Sequence, residues 1–362
     1  MNLFSPLTLG DLELPNRVVM APLTRLRSGE DGVPGPLVAE HYAQRAGFGL
    51  LVAEGTYPSP ESRGYPGQPG IVTDAQVDGW RAVTAAVHAR GGRIVLQVMH
   101  AGRVSHPAIT GTPHVVAPSA VAIRGEVHTP GGKLPYPVPH ALSTEEVRAT
   151  VRDLVAASRR ALDAGFDGVE LHSANGYLLH EFLSPAANRR DDSYGGTPGH
   201  RARLPLEAAT AIAAEVGAGR VGVRISPAHG IQDAFEPDAA DVLATYGTLV
   251  DGLAGLDLAY LSVLHAEPAG DLVQDLRRRF RGPLVANSGF GAVTTREDAV
   301  ALVESGAADA VAVGRMAIAN PDLVQRWAGQ HAENEPDAST FYTDGARGYT
   351  DYPFLADARQ GV

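Results

Sequence analysis

The chain has 362 residues, a formal net charge of -11 and no cysteine. Disulfides, cysteine nucleophiles and cysteine-ligated zinc or iron–sulfur clusters are therefore excluded, and the negative charge argues against nucleic acid or anionic lipid as a partner. Hydrophobic residues make up 44% of the sequence and charged residues 20%, a composition that suits a large folded core.

The first residues, from Met1 to Pro6, lack the basic start and apolar stretch of a signal peptide. No apolar run of membrane-spanning length follows. Together with the lack of cysteine, these features predict a cytoplasmic protein that does not associate with membranes.

Short apolar runs alternate along the chain with helix-like stretches such as Ala75–Ala89 and Thr144–Ala164. Eight such units favour a TIM (β/α)8 barrel, an α/β fold, in a single domain spanning residues 1–362. An open dinucleotide-binding sheet is disfavoured, because the nearest glycine fingerprint begins at Gly289 and lacks its last glycine. The predicted strands are Val18–Ala21, Leu50–Ala53, Ile94–Val98, Gly168–Leu171, Val221–Ile225, Ala259–Leu264, Leu284–Ala286 and Ala310–Val313.

Two segments stand outside this repeat. Residues 3–14 carry apolar runs around a Gly10-Asp11 turn, which predicts an N-terminal hairpin that closes the barrel floor. Residues from about 103 to 140 are rich in Pro, Gly and His and follow the third strand, so they predict a long excursion over the top face.

The residues after each strand build the active site of a TIM barrel, and few of them are acidic here. The first two strands lack the facing carboxylates of a glycosidase and the metal ligands of a metallohydrolase. Gly289, Gly314 and Arg315 follow strands seven and eight, where this fold commonly holds a phosphate, although ordinary turn glycines and an exposed arginine would give the same pattern.

Three polar residues at the strand ends, Thr24, Gln97 and Arg224, suit the edges of a flat heterocycle such as a flavin. A buried hydrogen-bonded arrangement of Gln97 and Arg224 within the barrel is the structural alternative.

One further motif of the sequence is His172-Ser-Ala-Asn175-Gly-Tyr177-Leu-Leu-His-Glu-Phe-Leu-Ser-Pro. With this motif the sequence resembles the Old Yellow Enzyme family of FMN-dependent ene-reductases; the motif is the most specific part of a likeness that runs from end to end. Further matching segments are Leu3–Pro6, Asn16–Arg25, Ala53–Thr56, Gly64–Gly70, Leu96–Arg103, Asn188–Gly196, Arg224–Pro227, Val313–Leu323 and Gly348–Pro353.

The resemblance implies tightly bound, non-covalent FMN, reduced by NAD(P)H, and a monomer or homodimer. Thr24, where another branch carries cysteine, places the chain with the classical branch, and Tyr342 fits that branch's aromatic residue over the substrate. Met99 stands where the family often has a tryptophan, which implies a roomier pocket wall. Ile231 stands where an aromatic residue is common, which leaves the orientation of the substrate open but not the chemistry. The implied flavin-binding residues are Pro22, Leu23, Thr24, Gly55, Gln97 and Arg224, with Gly289, Phe290, Gly314 and Arg315 near the phosphate; the implied substrate-binding residues are His172, Asn175, Tyr65, Met99, Ile231 and Tyr342.

The resemblance also implies a mechanism. His172 and Asn175 polarise the activating oxygen of an enone, enal, maleimide or nitroalkene, reduced FMN supplies hydride to the β-carbon, and Tyr177 protonates the α-carbon. Phenolic ligands would use the same His172 and Asn175 pair.

Two alternatives stay open on the sequence. A flavoprotein acting mainly on quinones, nitro compounds or nitrate esters would carry the same residues. A barrel lyase or aldolase acting on a sugar phosphate would lack flavin absorbance.

Overall fold

Eight parallel strands close into a barrel in the computed structural model, which describes residues 1–355. Residues 356–362 of the predicted domain lie outside this range. The barrel closes in the order β3, β4, β5, β10, β11, β12, β13 and β14, so the predicted TIM barrel is confirmed. The strands are β1 (Leu7–Leu9), β2 (Leu12–Leu14), β3 (Val18–Met20), β4 (Leu50–Thr56), β5 (Ile94–Val98), β6 (Val116–Ala117), β7 (Glu126–Thr129), β8 (Gly132–Pro135), β9 (His140–Ala141), β10 (Gly168–Ser173), β11 (Val221–Ile225), β12 (Tyr260–Leu264), β13 (Leu284–Asn287) and β14 (Ala310–Val313).

Helices cover the outside of the barrel, and both predicted helices are confirmed to within one residue at each end. Each begins at a capping box: Thr73 accepts from the N–H of Gln76, and Ser143 accepts from the N–H of Glu146. The helices are α1 (Pro36–Gln44), α2 (Asp74–His88), α3 (Pro107–Thr110), α4 (Thr144–Asp163), α5 (Leu178–Leu183), α6 (Pro198–Arg201), α7 (Arg203–Val216), α8 (Ala239–Leu253), α9 (Asp271–Phe280), α10 (Arg296–Glu304), α11 (Arg315–Ala319) and α12 (Leu323–Gly329).

Among the helices of residues 1–355, none has both the length and the apolar character that crossing a bilayer requires.

The N-terminal hairpin closes the floor of the barrel as predicted. Its strands β1 and β2 pair antiparallel, and Leu9 and Leu12 are buried in a cluster with inward-facing barrel residues. The turn is pressed against the strand beginnings, because a Cβ on Gly10 would lie 2.3 Å from the carbonyl oxygen of Gly219, just before β11. Gly10, with φ of +56°, is therefore the residue that this turn needs.

The predicted excursion follows β5 and contains its own small elements. Strands β7 and β8 form an antiparallel hairpin, and β6 pairs with β9. A single turn of helix, α3, which the sequence did not predict, begins at Pro107, with the side chain of His106 accepting from the N–H of Ala108.

Alternate residues of each barrel strand face inward, and these side chains form layers. The lower layer is apolar and includes Val19, Val95, Tyr260 and Val285, which pack on the hairpin. Above it the inward positions become polar. The change from apolar to polar side chains occurs two residues further along the strands. It places the candidate site at the carboxyl ends of the barrel strands.

Candidate active site

Glu170 organises the polar layer. It lies on β10 opposite Gln97 of β5, and its two carboxylate oxygens accept from Gln97 Nε2 at 2.8 Å and from the Tyr260 hydroxyl at 3.0 Å. Burial raises the pKa of Glu170, and the positive charge of Arg224 acts in the opposite direction. The structural role considered for Gln97 is thus present, although its partner is Glu170 and not Arg224.

Arg224 lies beside His172 in the register between β11 and β10. Its Nη1 donates to the hydroxyl of Ser262 at 3.2 Å. Its Nε is buried and has no hydrogen-bond partner within residues 1–355. A buried guanidinium N–H without a partner indicates an acceptor supplied by a bound molecule.

His172 is the next inward residue after Glu170, inside β10 and not beyond it. Its side chain is buried, and Nδ1 makes no hydrogen bond to the described part of the chain. Burial, followed by the charge of Arg224 and by His180, holds the pKa of His172 well below its usual range. The imidazole is therefore neutral near pH 7 and can donate only one hydrogen bond.

Asn175 sits in a left-handed turn directly after β10. Its φ is 59° and that of Gly176 is 79°, and the hydroxyl of Ser226 accepts from the Asn175 N–H at 2.8 Å. The side-chain Oδ1 of Asn175 is buried without a partner in the range described. The turn thus holds a second buried polar atom without a partner among residues 1–355, three positions after His172.

Tyr177 ends this turn and stands beside His172, with 5.2 Å between the ring centroids. Its hydroxyl lies 2.9 Å from that of Tyr65. Burial and the neighbouring tyrosines raise the pKa of Tyr177 well above its usual range, so the phenol carries its proton at neutral pH. The structure therefore joins Tyr65, His172 and Tyr177 in one group.

Residues of the first two barrel strands lie at the same end. Pro22, Leu23 and Thr24 follow β3 and are half-buried. Gly55 lies in β4, where a Cβ would stand only 2.6 Å from Sδ of Met99. Met99 is buried, and its sulfur lies over the backbone of Gly55.

The predicted phosphate side is a connected loop cluster. Arg315 Nη2 donates to the carbonyl oxygens of Phe290 and Ala292 at 2.8 and 2.5 Å. Gly289 has φ of +80°, and a Cβ on Gly314 would stand 3.5 Å from Leu23. The loops after β13 and β14 thus meet next to the segment after β3.

Ile231 and Tyr342 occupy the outer part of the site. The Ile231 carbonyl oxygen would lie 2.8 Å from a Cβ on Gly176, so the loop after β11 packs on the left-handed turn. Tyr342 is 67% exposed. Its phenol contributes to the raised pKa of both Tyr65 and Tyr177. Its segment is held by Arg25 and Arg27, which donate to the carbonyl oxygen of Phe341.

The structure adds residues for which the sequence pattern predicts no role. Ser226 and His180 hold the backbone of the left-handed turn, and Glu170 fixes Gln97. The side chain of Gln232 lies near Tyr65 and opposes the rise in the pKa of that phenol. Ser226 lies two residues after Arg224 and just past a strand, a position that indicates a site residue in this fold. Gln232 lies within an irregular loop, where no sequence pattern indicates a role.

The sequence pattern of the NADH:flavin oxidoreductase / NADH oxidase family matches residues 2–334. The chain belongs to this family. Membership confirms the predicted enzyme class, an oxidoreductase that works with flavin.

Individual relatives cover nearly the whole chain. A probable flavin mononucleotide-dependent alkene reductase of Leishmania infantum is 41% identical over 364 residues, 98% of this chain and 97% of its own length. The structure of the Old Yellow Enzyme homologue from Zymomonas mobilis has a TM-score of 0.93 and 40% identity, covering 98% of this chain and 100% of that one. Morphinone reductase in complex with tetrahydroNAD has a TM-score of 0.92 and 44% identity, covering 100% of both chains. The predicted resemblance to the Old Yellow Enzyme family is confirmed.

Proposed function

We propose that the chain is an FMN-dependent ene-reductase that uses NAD(P)H to reduce activated alkenes such as enones, enals, maleimides and nitroalkenes. The observation that carries the proposal is the placement of neutral His172 between a cationic Arg224 on the neighbouring strand and the protonated hydroxyl of Tyr177. Hydrogen-bond donors and a proton donor then face one substrate, as reduction of a polarised C=C bond requires.

The residues fit FMN. Arg224 Nε lacks an acceptor among residues 1–355, and the meeting of Leu23, Gly314 and the Arg315-anchored loop supports binding of a phosphate there. Bound FMN supplies hydride exchange between NAD(P)H and the alkene. The residues that would hold the ring are Pro22, Leu23, Thr24, Gly55, Gln97 and Arg224, with Gly289, Phe290, Gly314 and Arg315 at the phosphate.

His172 and Asn175 act on the activating oxygen of the substrate. Charge builds on that oxygen during reduction, and a hydrogen bond to a charged group contributes about 1.5 to 3 kcal/mol, more than a bond to a neutral one. Tyr177 gives its proton to the α-carbon. Met99 and Ile231 border this space with smaller or softer side chains than an aromatic ring, and Tyr342 covers it from outside.

Absorbance and rapid mixing test the proposal. The purified protein should show flavin absorbance, NADPH or NADH should bleach it, and an enone or nitroalkene should restore it within the turnover time. A p-substituted phenol should produce a long-wavelength charge-transfer band. A colourless protein, or a reduced flavin that enones, maleimides and nitroalkenes all fail to reoxidise, would overturn it.

A further inference from the structure

The hydroxyl of Tyr177 has one hydrogen bond within the described chain, to the hydroxyl of Tyr65 at 2.9 Å. A bond between two hydroxyls uses one of their two protons. If Tyr65 donates, the Tyr177 proton stays free to point at a substrate over His172. If Tyr177 donated, its proton would face away from the carbon that it must reach.

The chemistry of Tyr177 selects the direction of this bond, because a Tyr177 proton aimed at the substrate leaves the Tyr177 oxygen to accept from Tyr65. The side chain of Gln232 lies near Tyr65 and opposes the rise in the pKa of that phenol. The Gln232 backbone oxygen accepts from Arg103 Nη2 at 3.1 Å, and its Cβ would lie 2.7 Å from a Cβ on Gly176. The backbone of Gln232 is thereby held beside the turn, and with the Tyr177 proton aimed at the substrate the hydrogen bond runs from Tyr65 to Tyr177.

From this geometry we infer that Tyr65 is a proton-relay residue, which passes its proton to Tyr177 as Tyr177 protonates the substrate. This inference rests on the proposed function. The Tyr177 O–H bond breaks and a C–H bond forms at the α-carbon; the Tyr177 oxygen takes the proton of Tyr65, and the Tyr65 oxygen takes one from water. One solvent proton enters the product, and neither tyrosine is oxidised or reduced.

The hydroxyl pair favours transfer in this direction. Burial raises the pKa of both phenols. Their hydroxyl oxygens lie 2.9 Å apart. A phenolate that forms on Tyr177 therefore lies next to the Tyr65 proton and accepts it along an existing hydrogen bond. Hydrogen-bond donation to a developing phenolate is stronger than donation to a neutral phenol, so it lowers the barrier to protonation.

The test is a double-mutant cycle on proton delivery alone. A preformed nitronate, the conjugate base of a nitroalkane, is mixed with the oxidised holoenzyme, and its loss of ultraviolet absorbance follows protonation at carbon without a redox step. Tyr65→Phe should slow this decay by about tenfold in the otherwise wild-type enzyme, the effect of losing one hydrogen bond to a charged group. In a Tyr177→Phe background the same change should have less than about a twofold effect, because Tyr65 acts through Tyr177.

Tyr136→Phe is the matched control, since it removes a neighbouring phenol hydroxyl that has no hydrogen bond to Tyr177 in residues 1–355. Equal slowing by Tyr65→Phe in both backgrounds, or no slowing, would overturn the relay. The wild-type enzyme gives a second measurement: two protons in flight predict a curved dependence of the decay rate on the deuterium fraction of the solvent, and a straight line contradicts it. Failure of nitroalkenes to reoxidise the reduced wild-type flavin is a separate result that would remove the proposed function itself.

Discussion

The backbone N–H of Gly176 donates to Nδ1 of His180 at 2.7 Å. His180 is fully buried, and its Nε2 lies 3.4 Å from Oε1 of Glu236. Since Nδ1 accepts, the proton of a neutral imidazole sits on Nε2 and faces this carboxylate. Residues 175 and 176 are both left-handed, so this bond is what ties the turn between Asn175 and Tyr177 to the helix that follows it.

We expect His180→Leu to weaken binding of a p-substituted phenol by roughly tenfold, because an unsatisfied buried N–H costs about 1 to 3 kcal/mol and lets the turn move. Titration of the charge-transfer band measures this affinity. His180→Asn offers an oxygen near the position of Nδ1 and should recover much of the affinity. Equal weakening in both variants would show that His180 acts by filling space and not by holding Gly176.

Gly176→Ala should destabilise the protein by more than the cost of placing an alanine at a positive φ. The new Cβ would approach Gln232 Cβ at 2.7 Å and the carbonyl oxygen of Ile231 at 2.8 Å, so the loop after β11 must shift. We expect a loss of roughly 2 to 4 kcal/mol in the free energy of unfolding, from the left-handed backbone together with overpacking.

Gly111→Ala is the control for this substitution. Gly111 has a similar φ of +72°, yet a Cβ there meets no atom within 4 Å among the described residues. It should lose only about 1 kcal/mol, the cost of the backbone conformation. Denaturant unfolding of both variants checks the difference, and equal losses would contradict the packing argument.

The barrel could be predicted because its strands are apolar on both faces and are separated by regular helices, a signal that depends only on neighbouring residues. The ends of the strands could not be predicted as closely. The fourth predicted strand ends at Leu171, whereas β10 continues through His172 and Ser173, because polar residues at the end of a strand still pair with the neighbouring strand. The meeting of Tyr65 with Tyr177, 112 positions apart, depends on how two loops fold over the barrel. No local pattern contains that information, and the family resemblance assigned the residues without their contacts.

The binding of phenolic ligands should not depend on titration of His172. Burial, then Arg224 and His180, keeps the pKa of His172 well below its usual range, so the ring stays neutral around the pH at which an ordinary histidine gains its proton. The dissociation constant of a p-substituted phenol should fall as pH rises towards the phenol's own pKa, without an inflection near 6.5. An inflection there, absent in His172→Ala, would mean that His172 gains a proton in the complex.

His172→Ala should weaken the same phenol by about tenfold or more, the value of a hydrogen bond to a charged ligand. His88→Ala serves as the control, because His88 pairs with Asp167 just before β10, at the floor of the barrel. Phenol affinity unchanged in His172→Ala would remove His172 from the ligand site.

Glu181, on α5 directly after the left-handed turn at Asn175 and Gly176, should make stability depend on pH. It is fully buried, one carboxylate oxygen accepts from the N–H of Arg103 at 3.0 Å, and burial raises the pKa to about 8 in spite of the Arg103 charge. An unfolded glutamate titrates near 4.3. The folded protein therefore binds the extra proton between these values, and the stability that this protonation contributes is complete below about pH 4 and is lost as pH rises to about 8.

Glu181→Gln removes the group that must ionise. The free energy of unfolding of this variant should therefore exceed that of the wild type by more at pH 9 than at pH 5.5, and the difference between the two pH values should be on the order of 3 kcal/mol. Exposed Glu304→Gln on α10 should leave the pH dependence unchanged, and a parallel pH profile for Glu181→Gln and wild type would show that Glu181 is already ionised in the folded state at neutral pH.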